Sequence, residues 1–236
     1  MVLLDRLARY DGEAWRNILS LRSSRDLFAD LVPDAGAGAA AMAADLRMSG
    51  HVPPSQAERA LLYSTAIDYP FSADGSVASR FGDGTVRVWY GALDEPTARA
   101  ETCWHQLRQV MALEGVERVI VRHRAVYRVR AQGHFVDLRG KETAFPRIVA
   151  DDYAFTQGIG RTLSQQGMPG LLYPSARWPG GECLAAFRAA PLSDPVLSHY
   201  LTYRIDPVAR QVAIEREPGV VLDTLRLAQL TRRRTA

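Results

Sequence analysis

The sequence predicts an α+β fold, a mixed or antiparallel sheet with flanking helices, and three observations predict it. Short strand-like runs recur through the chain with turn residues between them. One amphipathic helix stands out among them, at residues 94–114. The chain of 236 residues, 47% hydrophobic and 23% charged, is long enough for one sizeable core. No apolar run approaches the ~20 residues that span a bilayer. The start, Met1-Val2-Leu3-Leu4-Asp5-Arg6, has an acid where a signal peptide would have its hydrophobic centre, so the chain is expected to be cytoplasmic.

Residues 1–52 are expected to form an N-terminal helical extension. Leu3, Leu4, Leu7 and Ala8 fall at helical spacing, and Trp15, Ile18, Leu19 and Leu21 continue an apolar face. Ser24 suits a cap, and the Ala/Gly-rich stretch Ala35–Ala44 fits either a small-residue helix or a connector. His51-Val52-Pro53-Pro54 reads as the entry to a main domain over residues 53–236.

Within that domain, Thr85–Tyr90 alternates with period two, placing Val86, Val88 and Tyr90 on one face and closing at Gly91. Asp94 and Pro96 mark a helix start, with an N-cap carboxylate and a proline in the first turn. The helix should run to about Glu114, with Ala100, Cys103, Trp104, Leu107, Val110 and Met111 as its apolar stripe. Glu101 then sits at the border of the buried face, where a carboxylate can face a cleft.

Strand-like runs follow at Val119–Val121, Ala125–Val129 and Phe135–Leu138, then at Cys183–Phe187. His199–Ile205 and Val212–Glu215 read as a hairpin-like pair joined across Asp206-Pro207. Val221–Leu230, with leucines at 222, 225, 227 and 230, is a candidate terminal helix.

Composition narrows the function. A net charge of +3, with Lys141 the only lysine, does not announce nucleic-acid binding. Arg232-Arg233-Arg234 is the one basic cluster and reads as a solvated tail. Cys103 and Cys183 are expected as reduced, buried thiols, and no zinc-ligand spacing exists. A dinucleotide fingerprint after a strand, a P-loop, a Gly-x-Ser-x-Gly elbow and a His-Glu-x-x-His helix are all missing.

Four residues carry the candidate chemistry. Arg80 lies in the glycine-punctuated loop Ser79-Arg80-Phe81-Gly82-Asp83-Gly84, where backbone can approach a ligand and a guanidinium can fork onto phosphate. Tyr90 ends a strand, Glu101 borders a helix face, and Ser175 follows a proline. Each taken alone reads as an ordinary surface or turn residue. Their order, together with Asp152-Tyr-Ala-Phe-Thr-Gln157-Gly-Ile-Gly160 and Gly170-Leu-Leu-Tyr-Pro-Ser175-Ala-Arg177, resembles the RES domain family from roughly Ala60 to Phe187.

The resemblance implies a fold related to ADP-ribosyltransferases and a split mixed or antiparallel sheet. It also implies a bacterial toxin that consumes NAD+ as substrate, without a metal. Such a toxin either transfers ADP-ribose to a protein target or hands it to phosphate or water. The expected partner is a cognate antitoxin blocking the pocket, often of helix-turn-helix type, with no membrane or direct nucleic-acid role. Glu101 would stabilise the developing oxocarbenium ion, Arg80 would clamp the pyrophosphate, and Tyr90 would stack on nicotinamide or its ribose. Ser175 would hydrogen-bond ribose or carboxamide.

Asp152 and Gln157 read as an N-cap and an exposed helix residue, and Arg177 as either a second phosphate ligand or an exposed loop arginine. Two departures from the family pattern stand out. The usual Tyr-Arg pair of the first strand corresponds here to Tyr63-Ser64, and Phe81-Gly82-Asp83-Gly84 replaces the usual Trp-Asn segment. Ser64 supports the competing expectation, a non-catalytic nucleotide- or partner-binding module of the same fold. A further competitor is an RNA-binding protein acting through Arg232–Arg234.

Overall fold

The computed structural model describes residues 2–20, 61–72 and 78–231. The N-terminal residues form a strand and not a helix. β1 (Leu7–Leu19) lies antiparallel to β3 (Ile120–Asp137) along its whole length, from Leu7 opposite Val136 to Leu19 opposite Arg124. Over Leu7–Leu19 the expected helix is therefore corrected, because β3 offers an edge that local spacing cannot reveal, and the rest of that extension, residues 21–52, lies outside the described residues. Ala14 and Arg16 are buried while Glu13 and Leu19 are exposed. Ser24, the Ala35–Ala44 stretch, His51–Pro54 and Arg232–Arg234 lie outside the described residues.

The rest of the chain supplies β2 (Trp89–Ala92), helix α1 (Glu95–Met111), helix α2 (Ala154–Gln165), β4 (Gly170–Pro174) and β5 (Glu182–Ala186). β6 (Leu192–Asp206), β7 (Gln211–Glu217), β8 (Val220–Arg226) and a final turn of helix, α3 (Leu227–Leu230), complete it. The sheet order is β1-β2-β5-β4-β3-β6-β7-β8, and the additional β1–β3 pairing closes the first five strands on themselves. Among the described strands only β3 and β4 run parallel, so the sheet is mixed and the α+β class expected from sequence is what the structure has.

Three strand-like runs of the sequence fuse into the 18-residue β3. Its polar stretches do not break it, since β1 pairs along one edge and β6 and β4 along the other. The candidate terminal helix is mostly strand: Gly219, with φ of 80°, turns the chain, and Val220–Arg226 pairs back on β7. β-branched Val220 and Val221 suit that pairing better than a helix.

α1 begins where Asp94 caps it. The Asp94 side chain accepts from the Thr97 amide at 2.7 Å and from the Thr97 hydroxyl at 2.9 Å. Ala100, Cys103, Leu107 and Val110 of its stripe pack on Leu201, Tyr203, Val212 and Ile214 of the outer strands. Ala98, two residues before Ala100, joins a separate core of Phe81, Ile159, Leu163 and Tyr173 under α2. α1 thus bridges two cores, and Glu101 lies on the helix between them. Both cysteines are buried and unpaired with each other.

Candidate active site

Glu101 is fixed by the segment that carries Ser175. The Ser175 hydroxyl donates to Glu101 Oε1 at 2.6 Å, and the Ala176 amide donates to the same oxygen at 3.1 Å. The hydroxyl oxygen in turn accepts from the Arg177 and Trp178 amides at 3.1 and 3.0 Å. Its single proton is therefore free to point at the carboxylate. Ser175 is fully buried and does not line the cleft, so it braces Glu101 from behind.

The cleft in front has a volume of about 560 Å³. Arg80, Tyr90 and Glu101 all line it, together with Trp15, Arg16 and Asn17 of β1, Thr102, His105 and Arg108 of α1, and Asp151 and Tyr153. Tyr90 is oriented by its hydroxyl, which accepts from the Phe81 amide at 2.8 Å and pairs with Ser79 Oγ at 2.9 Å. Burial pushes its phenol up to about 12, so the ring is neutral at physiological pH.

Arg80 is not the solvated loop residue it resembles when read alone. It is 7% exposed, it donates to the carbonyls of Ile148 and Ala150 at 3.1 and 2.8 Å, and it stacks 4.7 Å above the Tyr153 ring. Its loop is held by α2. Gln157 donates to the carbonyls of Ser79 and Gly82, and Arg161 forks onto Asp83. Gly160 lets α2 come this close, since a Cβ there would collide with the Phe81 carbonyl. Asp152 is not a helix cap: its side chain accepts from Ala154, and Tyr153 stands at the cap position.

The structure adds Arg16, which the sequence reading missed. It is 9% exposed, donates to the Tyr90 carbonyl at 3.1 Å, and lies 5.2 Å from the Trp89 ring centroid. Its Nε has no partner and, among the described residues, no carboxylate pairs with it. Burial, and then the neighbouring Arg124, lower its pKa to about 9, which still leaves it cationic at neutral pH. A period-two reading of Ala8, Tyr10, Gly12, Ala14, Arg16 and Ile18 would have found it.

Leu62–Thr65, taken from sequence as the first strand, is helical, with Ser64 exposed on one turn of π-helix. The first strand is β1, and its Trp15-Arg16 pair reaches the cleft. His105, one turn after Glu101, was also missed. Burial lowers its pKa, against the raising influence of Glu101. Arg177 is 2% exposed, stacked 3.4 Å over Trp104 and bonded to Asp151 at 2.6 Å, so it lies behind the cleft wall.

A family model described as the RES domain matches residues 53–206. The chain belongs to the RES domain family. The match covers Arg80, Tyr90, Glu101 and Ser175 but starts after β1 and ends before β7. The chain is also similar to a chain in the crystal structure of the M. tuberculosis MbcT–MbcA toxin–antitoxin complex. Identity is 13%, with 86% of this chain and 88% of that chain covered and a TM-score of 0.44. No curated protein matches the sequence.

Proposed function

We propose that this RES domain protein is an NAD+-consuming enzyme that breaks the nicotinamide–ribose bond and acts as the toxin of a toxin–antitoxin pair. The observation that carries the reading is the Glu101 carboxylate, held on one oxygen by the Ser175 hydroxyl and the Ala176 amide, at the wall of a cleft that Arg80 and Tyr90 also line. Breaking a glycosidic C–N bond builds positive charge on the ribose and expels a neutral base. A carboxylate with its rotamer fixed in advance stabilises that charge without reorganising at the moment of reaction. The same group can accept a proton from the attacking acceptor.

Two buried guanidiniums on the cleft wall suit a pyrophosphate. Arg80 has two of its donor contacts on backbone carbonyls, whereas Arg16 keeps a buried N–H without a partner. Arg16 therefore takes over the anion-binding role that the family pattern would place on a first-strand arginine. Tyr90, neutral and pinned by its hydroxyl, presents a ring edge or face to the nicotinamide riboside. The acceptor, whether a protein side chain, phosphate or water, enters at the same carboxylate. A cognate antitoxin of helix-turn-helix type would act by covering this cleft.

Induced expression in bacteria tests the toxin reading. The wild-type chain should lower cellular NAD+ and stop growth, and Glu101→Gln should do neither at equal protein level. Growth arrest by both proteins, or a steady NAD+ pool during arrest by the wild type, would contradict it.

A further inference from the structure

The two arginines that flank the family's signature segments converge on one loop. Arg80 holds the carbonyls of Ile148 and Ala150 and stacks on Tyr153, while Arg177 bonds Asp151 Oδ1 at 2.6 Å. Arg177 is itself locked, 2% exposed and 3.4 Å over the Trp104 ring. The stretch 148–153 is thus tied at several points to groups that cannot move without disturbing the core. What it offers to the cleft is the Asp151 side chain, which lines the cavity and is 60% exposed. An exposed acid on a loop is ordinarily mobile and solvated, and a buried guanidinium dedicated to holding one needs an account.

Oδ2 of Asp151 has no partner among the described residues. A carboxylate only accepts hydrogen bonds, so its ligand must offer donors and no negative charge at that point. In a cleft that takes a dinucleotide, the neutral donors are the ribose hydroxyls and the carboxamide and adenine amines, and of these only the hydroxyls come as adjacent pairs on the two sugars that flank the pyrophosphate. A fixed carboxylate accepting from a ribose hydroxyl also disfavours a phosphate in its place, by charge repulsion and by desolvation of an unmatched anion.

We propose that Asp151 is a specificity-determining residue that accepts a hydrogen bond from a ribose hydroxyl of the dinucleotide, with Arg177 as its positioning residue. This inference rests on the NAD+ reading of the cleft. Asp151 would add to the substrate's binding and leave the bond-breaking carboxylate, Glu101, to the chemistry.

The test compares the full-length wild type with Asp151→Asn in two assays, with melting curves confirming that both are folded. In steady-state kinetics with NAD+, Asp151→Asn should raise KM about 10- to 100-fold, the usual weight of a hydrogen bond to a charged group, with kcat changed less than about threefold. In calorimetry with ADP-ribose, its Kd should rise by the same factor. Of four NAD+ analogues, each lacking one 2′- or 3′-hydroxyl of one ribose, one should bind the wild type 10- to 100-fold more weakly yet bind Asp151→Asn about as well as NAD+ does. ADP-ribose affinities equal within twofold, or no ADP-ribose binding by the wild type, would overturn the proposal, as would equal analogue penalties in both proteins. Wild-type binding of ADP-ribose without nicotinamide release would sink the catalytic reading instead and leave Asp151 to be decided by the affinities.

Discussion

At the scale of single residues, the site separates groups that face the cleft from groups that hold them. Ser175 belongs to the second kind, buried and bonded to Glu101 Oε1. Ser175→Ala should therefore lower kcat for nicotinamide release about 10- to 100-fold, the loss of about 1.5–3 kcal/mol from a charge-assisted bond, with KM within about threefold. A ribose-binding serine would instead raise KM, so the split between the two constants decides. Arg16 gives a prediction of opposite signs. Its buried guanidinium has an unpartnered Nε and a like charge nearby in Arg124. Arg16→Met should weaken NAD+ binding about 10- to 100-fold while leaving the free protein as stable or more so, because an uncompensated buried charge is removed. Calorimetry and thermal melting read the two effects separately. That Arg80, Tyr90 and Glu101 line one cleft was expected from the order of their segments, which resembles the RES family, and not from any one flank: the Asp-x-Pro helix start is where it was expected, but the strand read as Thr85–Tyr90 is Trp89–Ala92. Arg16 was not legible, since its neighbours in space come from strands 70 residues or more along the chain, as the bond to the Tyr90 carbonyl across 74 residues shows.

At the scale of elements, α1 and α2 do the positioning. α1 was legible nearly residue by residue, ending at Met111 where Glu114 was expected, because capping and apolar spacing are written within one helix. Asp94→Ala should cost about 1 kcal/mol, read by chemical denaturation, since it removes the acceptor of both Thr97 donors. α2 touches the Arg80 loop through Gly160, whose place no side chain can take without moving the Phe81 backbone. Gly160→Ala should therefore destabilise by at least about 1–3 kcal/mol, a fall of about 2–4 °C in Tm for each kcal/mol, and should lower activity with it. Unchanged melting would mean that the helix and loop are not in the contact described. β1 and β8 were read as helices because leucine and alanine at spacings of three and four are also compatible with a strand when a partner edge is waiting. Only the pairing with β3 and β7 decides, and pairing is nonlocal.

At the scale of the whole molecule, the cleft depends on chain outside the family match at 53–206, because β1 supplies Trp15, Arg16 and Asn17 to its wall. The start of the chain is moored to the end of β3. Arg6 bonds Asp137 at 2.8 Å, and the buried Lys141 bonds Asp5 and the carbonyls of Val2 and Leu3. Against the burial that would raise it, hydrogen bonds from Arg139 and Arg6 hold the Asp137 carboxyl at about 2. A carboxyl lowered in the folded state stabilises above its unfolded pKa near 4 and loses that contribution as pH falls toward 2. Asp137→Asn should thus cost roughly 1–2 kcal/mol at pH 7, allowing for solvent screening, and much less at pH 2, by urea unfolding at each pH. Every role assigned to the cleft follows from its being an NAD+-splitting site. The most direct test is nicotinamide release from NAD+ by the purified chain beside Glu101→Gln, with matched melting curves and the ADP-ribosyl product weighed by mass spectrometry. Release by the wild type that falls at least about 100-fold in the variant is the predicted result. No release from either, or equal release from both, would contradict it.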